Sequence, residues 1–183
     1  MSALKSAGKP DRTGASARML ALMGLLFAAA AALSALESAL PVLPMLPQGV
    51  KLGLSNIVTM YALFVLGTKQ GFAIAAMKSA FVLLTRGAVA AAMSFAGGVC
   101  AVLVMLLLSK IPGIKKDYLL LSIFGAVFHN MGQLIMSVFM VGTVKILYYA
   151  PVMVLSGIVM GIVTGLTLRV IMPYIPNFSN SKS

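Results

Sequence analysis

From Met19 onward the chain alternates long apolar runs with short polar breaks or breaks marked by glycine and proline. A helix needs about 20 predominantly apolar residues to cross the hydrocarbon layer of a bilayer. Six such segments are predicted, at residues 19–40, 50–68, 71–87, 88–109, 118–143 and 146–172, the second and third short and the last two long. The stretch "PVLPMLPQGV" at 41–50 carries three prolines, which exclude a regular helix interior and predict an external loop. Residues 1–18 are small, polar and basic and read as a flexible cytoplasmic tail, with 173–183 as a second tail. A secretory signal peptide competes for the first segment, because "ALSALESA" offers A-x-A-like cleavage options. Its apolar stretch from Met19 to Leu36 is longer than the roughly 7–15 residues usual for such a core, which favours a retained helix.

Polar positions inside these segments are the next layer of information. In the fifth, Gly125, His129, Gln133 and Ser137 recur every four residues and so share one helical face, with Asn130 beside His129. This is a polar stripe near mid-membrane. Such side chains stabilise helix contacts by about 0.6–2 kcal/mol when they bond across to a neighbour, but an intramembrane cluster with an ionisable member is a candidate binding site. In the second segment, "KLGLSNIVTM" places Lys51, Ser55 and Thr59 on one face with Asn56 adjacent, although Lys51 alone also fits a side chain snorkelling to the interface. Lys78 falls in the middle of the third segment and Arg86 at its outer end. A central lysine costs about 2.5–3.5 kcal/mol on the insertion scale, so it needs compensation. Glu37, near the outer end of the first segment, is the acid placed to supply it.

Small residues form two further strips. Gly24, Ala28 and Ala32 lie four apart on the first helix, and Gly157, Gly161 and Gly165 on the last, each giving a flat face for close backbone approach. Packing within the chain is the expectation for the glycines; for the Gly24 strip, packing and a partner protein both stand. No internal repeat is evident.

Charge then orients the chain. Of its 183 residues, 61% are hydrophobic and only 9% charged, against roughly 25% charged in an average soluble domain. The mean hydropathy is +1.05. The net charge of +11 arises from 14 Lys and Arg against Asp11, Glu37 and Asp117. In a membrane protein this excess sets topology and does not signal nucleic acid. With six spans and a cytoplasmic amino terminus, Lys5, Lys9, Arg12, Arg18, Lys69, Lys110, Lys115, Lys116, Arg169 and Lys182 fall inside and Lys51, Arg86 and Lys145 outside, with Lys78 within a span. That bias supports a six-helix, N-in and C-in protein of the cytoplasmic membrane. The outer half then holds Lys51, Arg86, Lys145 and Lys78 against one carboxylate, beside neutral donors from His129, Asn130 and Gln133. If these helices converge, such a cavity suits an anionic group on a larger apolar body.

Several chemistries are disfavoured. The chain has no G-x-x-x-x-G-K-[ST] phosphate loop, no H-E-x-x-H and no G-x-S-x-G. Magnesium-dependent diphosphate chemistry wants clustered carboxylates, whereas the three acids are scattered. Cys100 is alone, so no disulfide or thiolate metal site is available within one chain. Neither catalysis nor a cofactor or metal is expected of this subunit.

The strings "KLGLSNIVTMYAL", "SFAGG" at 94–98 and "GAVFHNMGQL" at 125–134, with the proline-rich loop, resemble the heptaprenyl diphosphate synthase component I family, also called the Gx transporter family. That family is similar to the substrate-binding S components of energy-coupling-factor (ECF) transporters, and the likeness covers about residues 19–172. The synthase label implies an accessory polypeptide of polyprenyl diphosphate synthesis, but the aspartate-rich metal motifs of such catalysis are missing. The S-component likeness implies an all-α bundle of six transmembrane helices that captures a vitamin-like substrate from outside and works with a T component and two ATPases. It further implies that the 41–50 loop acts as a lid and that Gly24, Ala28 and Ala32 contact the T component, with Gly where the family's first helix carries Ala.

The expected function is therefore a solute-binding transporter subunit for a small anionic metabolite, of flavin, isoprenoid or other cofactor-precursor type. Lys51, Asn56, Arg86, His129, Asn130 and Gln133 form its expected binding face. The alternative is a membrane accessory protein that presents a lipid diphosphate to a separate enzyme, and a purely structural scaffold is third.

Overall fold

The computed structural model describes residues 12–39, 53–114 and 117–174. The 41–50 loop, Lys51 and the end of each tail lie outside them. Among the described residues every regular element is helical: α1 Arg12–Ala39, α2 Asn56–Tyr61, α3 Thr68–Arg86, α4 Ala88–Leu108, α5 Tyr118–Val141 and α6 Ala150–Ile171. A π-helical turn, Ala62–Leu66, extends α2, and short 3-10 segments precede and follow α6. Helix α1 begins at Arg12, inside the segment read as a tail.

Among the described residues, four helical stretches are long and apolar enough to cross a membrane: Ala17–Glu37, Ala88–Leu108, Tyr118–Val141 and Val144–Ile171. The protein is therefore membrane-embedded. The second expected span is shorter than the sequence implied. Its helix starts only at Asn56 and ends at Leu66, about 16 Å at 1.5 Å per residue, roughly half the hydrocarbon thickness. Gly67, at φ +116, breaks it where a side chain is strained. Helix α3 has 19 residues, a sufficient length, but it carries Lys69, Lys78 and Arg86 and is not among the four apolar spans.

Helix ends follow local chemistry. Asp117 caps α5 by accepting a hydrogen bond from Leu120 N–H at 3.1 Å, and Gly142 ends it in the left-handed conformation. Pro151 stands in the first turn of α6, where a missing N–H costs nothing.

Packing is closest between α5 and α6. A Cβ on Gly157 would lie 2.8 Å from Val127 Cα, one on Gly161 2.4 Å from Ile123 Cα, and one on Gly165 2.9 Å from Leu119 Cα. Two four-residue ladders thus meet backbone to backbone, so the glycine strip serves packing within the chain. The strip of Gly24, Ala28 and Ala32 does the opposite and faces away from the bundle. Helix α1 turns Ala30, Ser34 and Glu37 inward, packing Ala30 against Val58, Ala62 and Ile74. It is the least embedded of the apolar spans: 11% of its hydrophobic window is buried, against 50% for α5.

Candidate functional site

The strings singled out in the sequence meet in one place. Gly97 of "SFAGG" has no room for a side chain, since a Cβ there would lie 2.7 Å from His129 O and 2.8 Å from Gln133 Cγ. Gly98, its neighbour, does the same for α3, with Ala75 Cβ at 3.1 Å. The glycine pair therefore draws α5 and α3 onto α4 from two sides. Gly132 completes the close approach, its added Cβ falling 2.9 Å from Ala96 O and 3.0 Å from Gly97 Cα.

This packing frames a polar cavity lined by Ser34 and Glu37 of α1, Gly53 and Ser55 before α2, Lys78, Val82 and Arg86 of α3, Ala90 and Ser94 of α4, and His129 and Gln133 of α5. Glu37, Ser55, Lys78, Ser94, His129 and Gln133 are all buried, and Arg86 is half-buried. The space between them is about 20 Å³, room for one water-sized body. A metabolite pocket usually offers about 300–1,000 Å³, so binding anything larger requires the surrounding elements to part.

Three contacts organise the charges. Gly53, at φ +96, turns its N–H onto the Glu37 carboxylate, tying the entry of α2 to the end of α1. The same carboxylate attracts the Arg86 guanidinium. Lys78 donates from Nζ to Asn56 Oδ1 at 3.4 Å, which answers in part the compensation that a mid-helix lysine demands. Gly53, Ser55 and Asn56 are thus what the site draws from "KLGLSNI".

On α5, Gln133 Nε2 lies 2.8 Å from His129 Nε2. A neutral imidazole accepts this bond, which leaves its proton on Nδ1. Nδ1 finds no partner in hydrogen-bond geometry, although the ring lies against Gly97, and Gln133 Oε1 is buried without one. A polar pair that satisfies half of its own bonding capacity has the remainder available to a ligand.

The expected binding residues divide accordingly. Arg86, His129 and Gln133 line the cavity, and Asn56 holds Lys78 at its edge. Asn130 turns to α6 instead, its amide donating to Met153 O at 2.8 Å and Ser156 Oγ at 3.0 Å. Its position one residue on rotates it by about 100° around the helix, onto another neighbour. Lys145, expected among the outer cations, is exposed beside Val144, Leu147 and Tyr148, apart from the cavity lining. Lys51 lies outside the described residues. Of the expected face of Lys51, Ser55 and Thr59, the last two are both buried, Ser55 as the residue that caps the helix and Thr59 within it.

Two further residues of the lining, Ser34 and Ser94, were not among the expected binding residues. Both are small hydroxyls in apolar runs, which ordinarily bond to their own helix. Ser137, in line with His129, does so, donating to Leu134 O at 2.7 Å. Gly125 serves packing, with Met105 Sδ 2.8 Å from where its Cβ would be. Among the described residues no group of three His, Cys, Asp or Glu side chains converges to hold a metal.

A family model described as heptaprenyl diphosphate synthase component I matches residues 26–171, a stretch that contains every residue of the cavity lining. No curated protein and no solved structure matches the chain.

Proposed function

The chain belongs to the heptaprenyl diphosphate synthase component I family, and from this premise and its polar cavity we propose that it is a solute-binding membrane subunit for a small anionic metabolite. The observation that carries the reading is the meeting of Lys78, Arg86, His129 and Gln133 in one cavity within a membrane-embedded chain. Two cations and the Nδ1–H of His129, which has no partner in hydrogen-bond geometry, attract an anion in a low-dielectric site far more strongly than they would in water. Glu37 offsets one of the two charges and keeps the empty site from carrying an uncompensated pair.

The protein acts as an S-component-like bundle in the cytoplasmic membrane, with both termini inside by the bias of its Lys and Arg. The anion enters from the outer side, where α1 ends and α2 begins. Transport energy comes from partners, a T component and ATPase subunits, because the sequence has no nucleotide-binding loop. The outward strip of Gly24, Ala28 and Ala32 is the surface offered to the T component.

A second reading rests on the family's description as a synthase component. In it the chain presents a polyprenyl diphosphate to a separate enzyme and transports nothing. The three acids of the sequence are too scattered to hold the magnesium of that chemistry, which favours a non-catalytic role in either reading. Native mass spectrometry of the protein extracted from its own membranes tests the choice. The transport reading expects a small anion and associated ATPases, and a polyprenyl lipid with a soluble synthase would establish the accessory role instead.

A further inference from the structure

Glu37 stands in the last turn of α1, which ends at Ala39. A carboxylate is disfavoured at a helix C-terminus, where the free carbonyls already carry partial negative charge. Its place is therefore explained by what lies around it. It is 4% exposed, accepts from Gly53 N–H, attracts Arg86 and shares its cavity with Lys78, His129 and Gln133. A carboxylate of the protein thus already fills the position in which an anion would meet these donors, and only about 20 Å³ remains beside it.

We propose that this cluster is a carboxylate-recognition site and that Glu37 holds it in the unliganded protein until the carboxylate of a substrate displaces it. The inference rests on the solute-binding reading and narrows its substrate class. The group that now meets these donors is itself a carboxylate, planar with two oxygens, and a substrate carboxylate would bring the same chemistry. Displacement is geometrically open to Glu37, because the apolar stretch of α1 ends at that residue and α1 is the span least held by the bundle. Once Glu37 swings out to water, the described lining presents Lys78 and Arg86 without an opposing acid, so the charge offered to the ligand rises from one to two. The ligand's apolar body would occupy the space vacated by the end of α1.

The test replaces Glu37 by Ala and supplies the missing group from solution. The full-length variant is titrated in detergent with sodium acetate and, at equal ionic strength, with sodium chloride or sodium phosphate, and its thermal unfolding is followed. Acetate is expected to raise the unfolding temperature of Glu37→Ala saturably, by about 3 °C, leaving the wild-type chain unmoved. Adding Arg86→Gln to the variant should abolish the response. If alanine prevents folding, Glu37→Ser keeps an acceptor for the Gly53 N–H and leaves the same gap. Equal effects of acetate and chloride overturn the proposal, and a response to phosphate alone overturns the carboxylate assignment. The two layers fail separately. Absence of acetate rescue with a small anion still bound to the wild-type chain overturns the Glu37 assignment only. Acetate rescue in a protein that carries a polyprenyl lipid and a soluble synthase overturns the transport reading and leaves the carboxylate site standing.

Discussion

The ammonium of Lys78 is held 3.4 Å from the side-chain oxygen of Asn56, so a cation in the middle of one helix is anchored by the first residue of another. Both groups are buried. Removing the acceptor alone takes one hydrogen bond from a buried charge, whereas removing the charge leaves a neutral amide that is cheaper to bury. Asn56→Ala is therefore expected to destabilise the protein by about 1.5–3 kcal/mol, read from thermal unfolding in detergent. Lys78→Met should cost less stability and yet lose the bound anion. Equal stability losses in the two variants would contradict this division.

Asn130 and His129 are neighbours in sequence with separate duties. Asn130→Ala removes two bonds to α6 and is expected to cost about 0.6–2 kcal/mol of stability with ligand affinity unchanged. His129→Ala is expected to weaken ligand binding by tenfold or more with a smaller change in unfolding temperature. Were both substitutions to alter stability alone, the cluster would be a scaffold feature and the binding reading would fail.

The two small-residue strips predict opposite responses to one added methyl. Gly161→Ala forces its Cβ to within 2.4 Å of Ile123 Cα unless α5 and α6 separate, with an expected loss of about 1–3 kcal/mol. At Gly24 nothing lies within 4 Å of the added carbon, so Gly24→Ala should leave the isolated chain as stable as wild type or slightly more so. Co-isolation of partner subunits with Gly24→Leu reads the second strip: reduced recovery of the T component is expected from a folded chain.

Gly97 couples packing to the site. Its added Cβ meets His129 O and Gln133 Cγ, so Gly97→Ala should displace the cavity face of α5 and weaken binding by tenfold or more. Gly98→Ala meets only Ala75 Cβ at 3.1 Å and should perturb binding less. Ligand affinities of the two folded variants, measured side by side, check the order.

How much of this was legible in the sequence depends on the kind of signal. The helical face shared by His129 and Gln133 follows from a spacing of four, and the cavity uses it. The glycines of the last helix were assigned to packing for the same reason. Which neighbour each polar residue meets was not legible, because rotation around a helix does not name the partner. Asn130 faces α6 for that reason, and Lys145 falls outside the site because it stands exposed on a 3-10 turn that buries no residue. The short α2 was hidden because the apolar residues that precede Asn56 read as part of the same segment. Lys78 showed itself as a cost to be compensated, while Ser34 gave no signal at all.

The proposed function stands on one assignment, a small anion held in the cavity of Lys78, Arg86 and His129. Its most direct test is the mass of whatever accompanies the wild-type chain and Lys78→Met, gently extracted in parallel from the same cells. A small anionic molecule on the wild-type protein and none on a folded Lys78→Met is the result expected here. The same molecule retained by both chains, or a neutral lipid found on each, would contradict it.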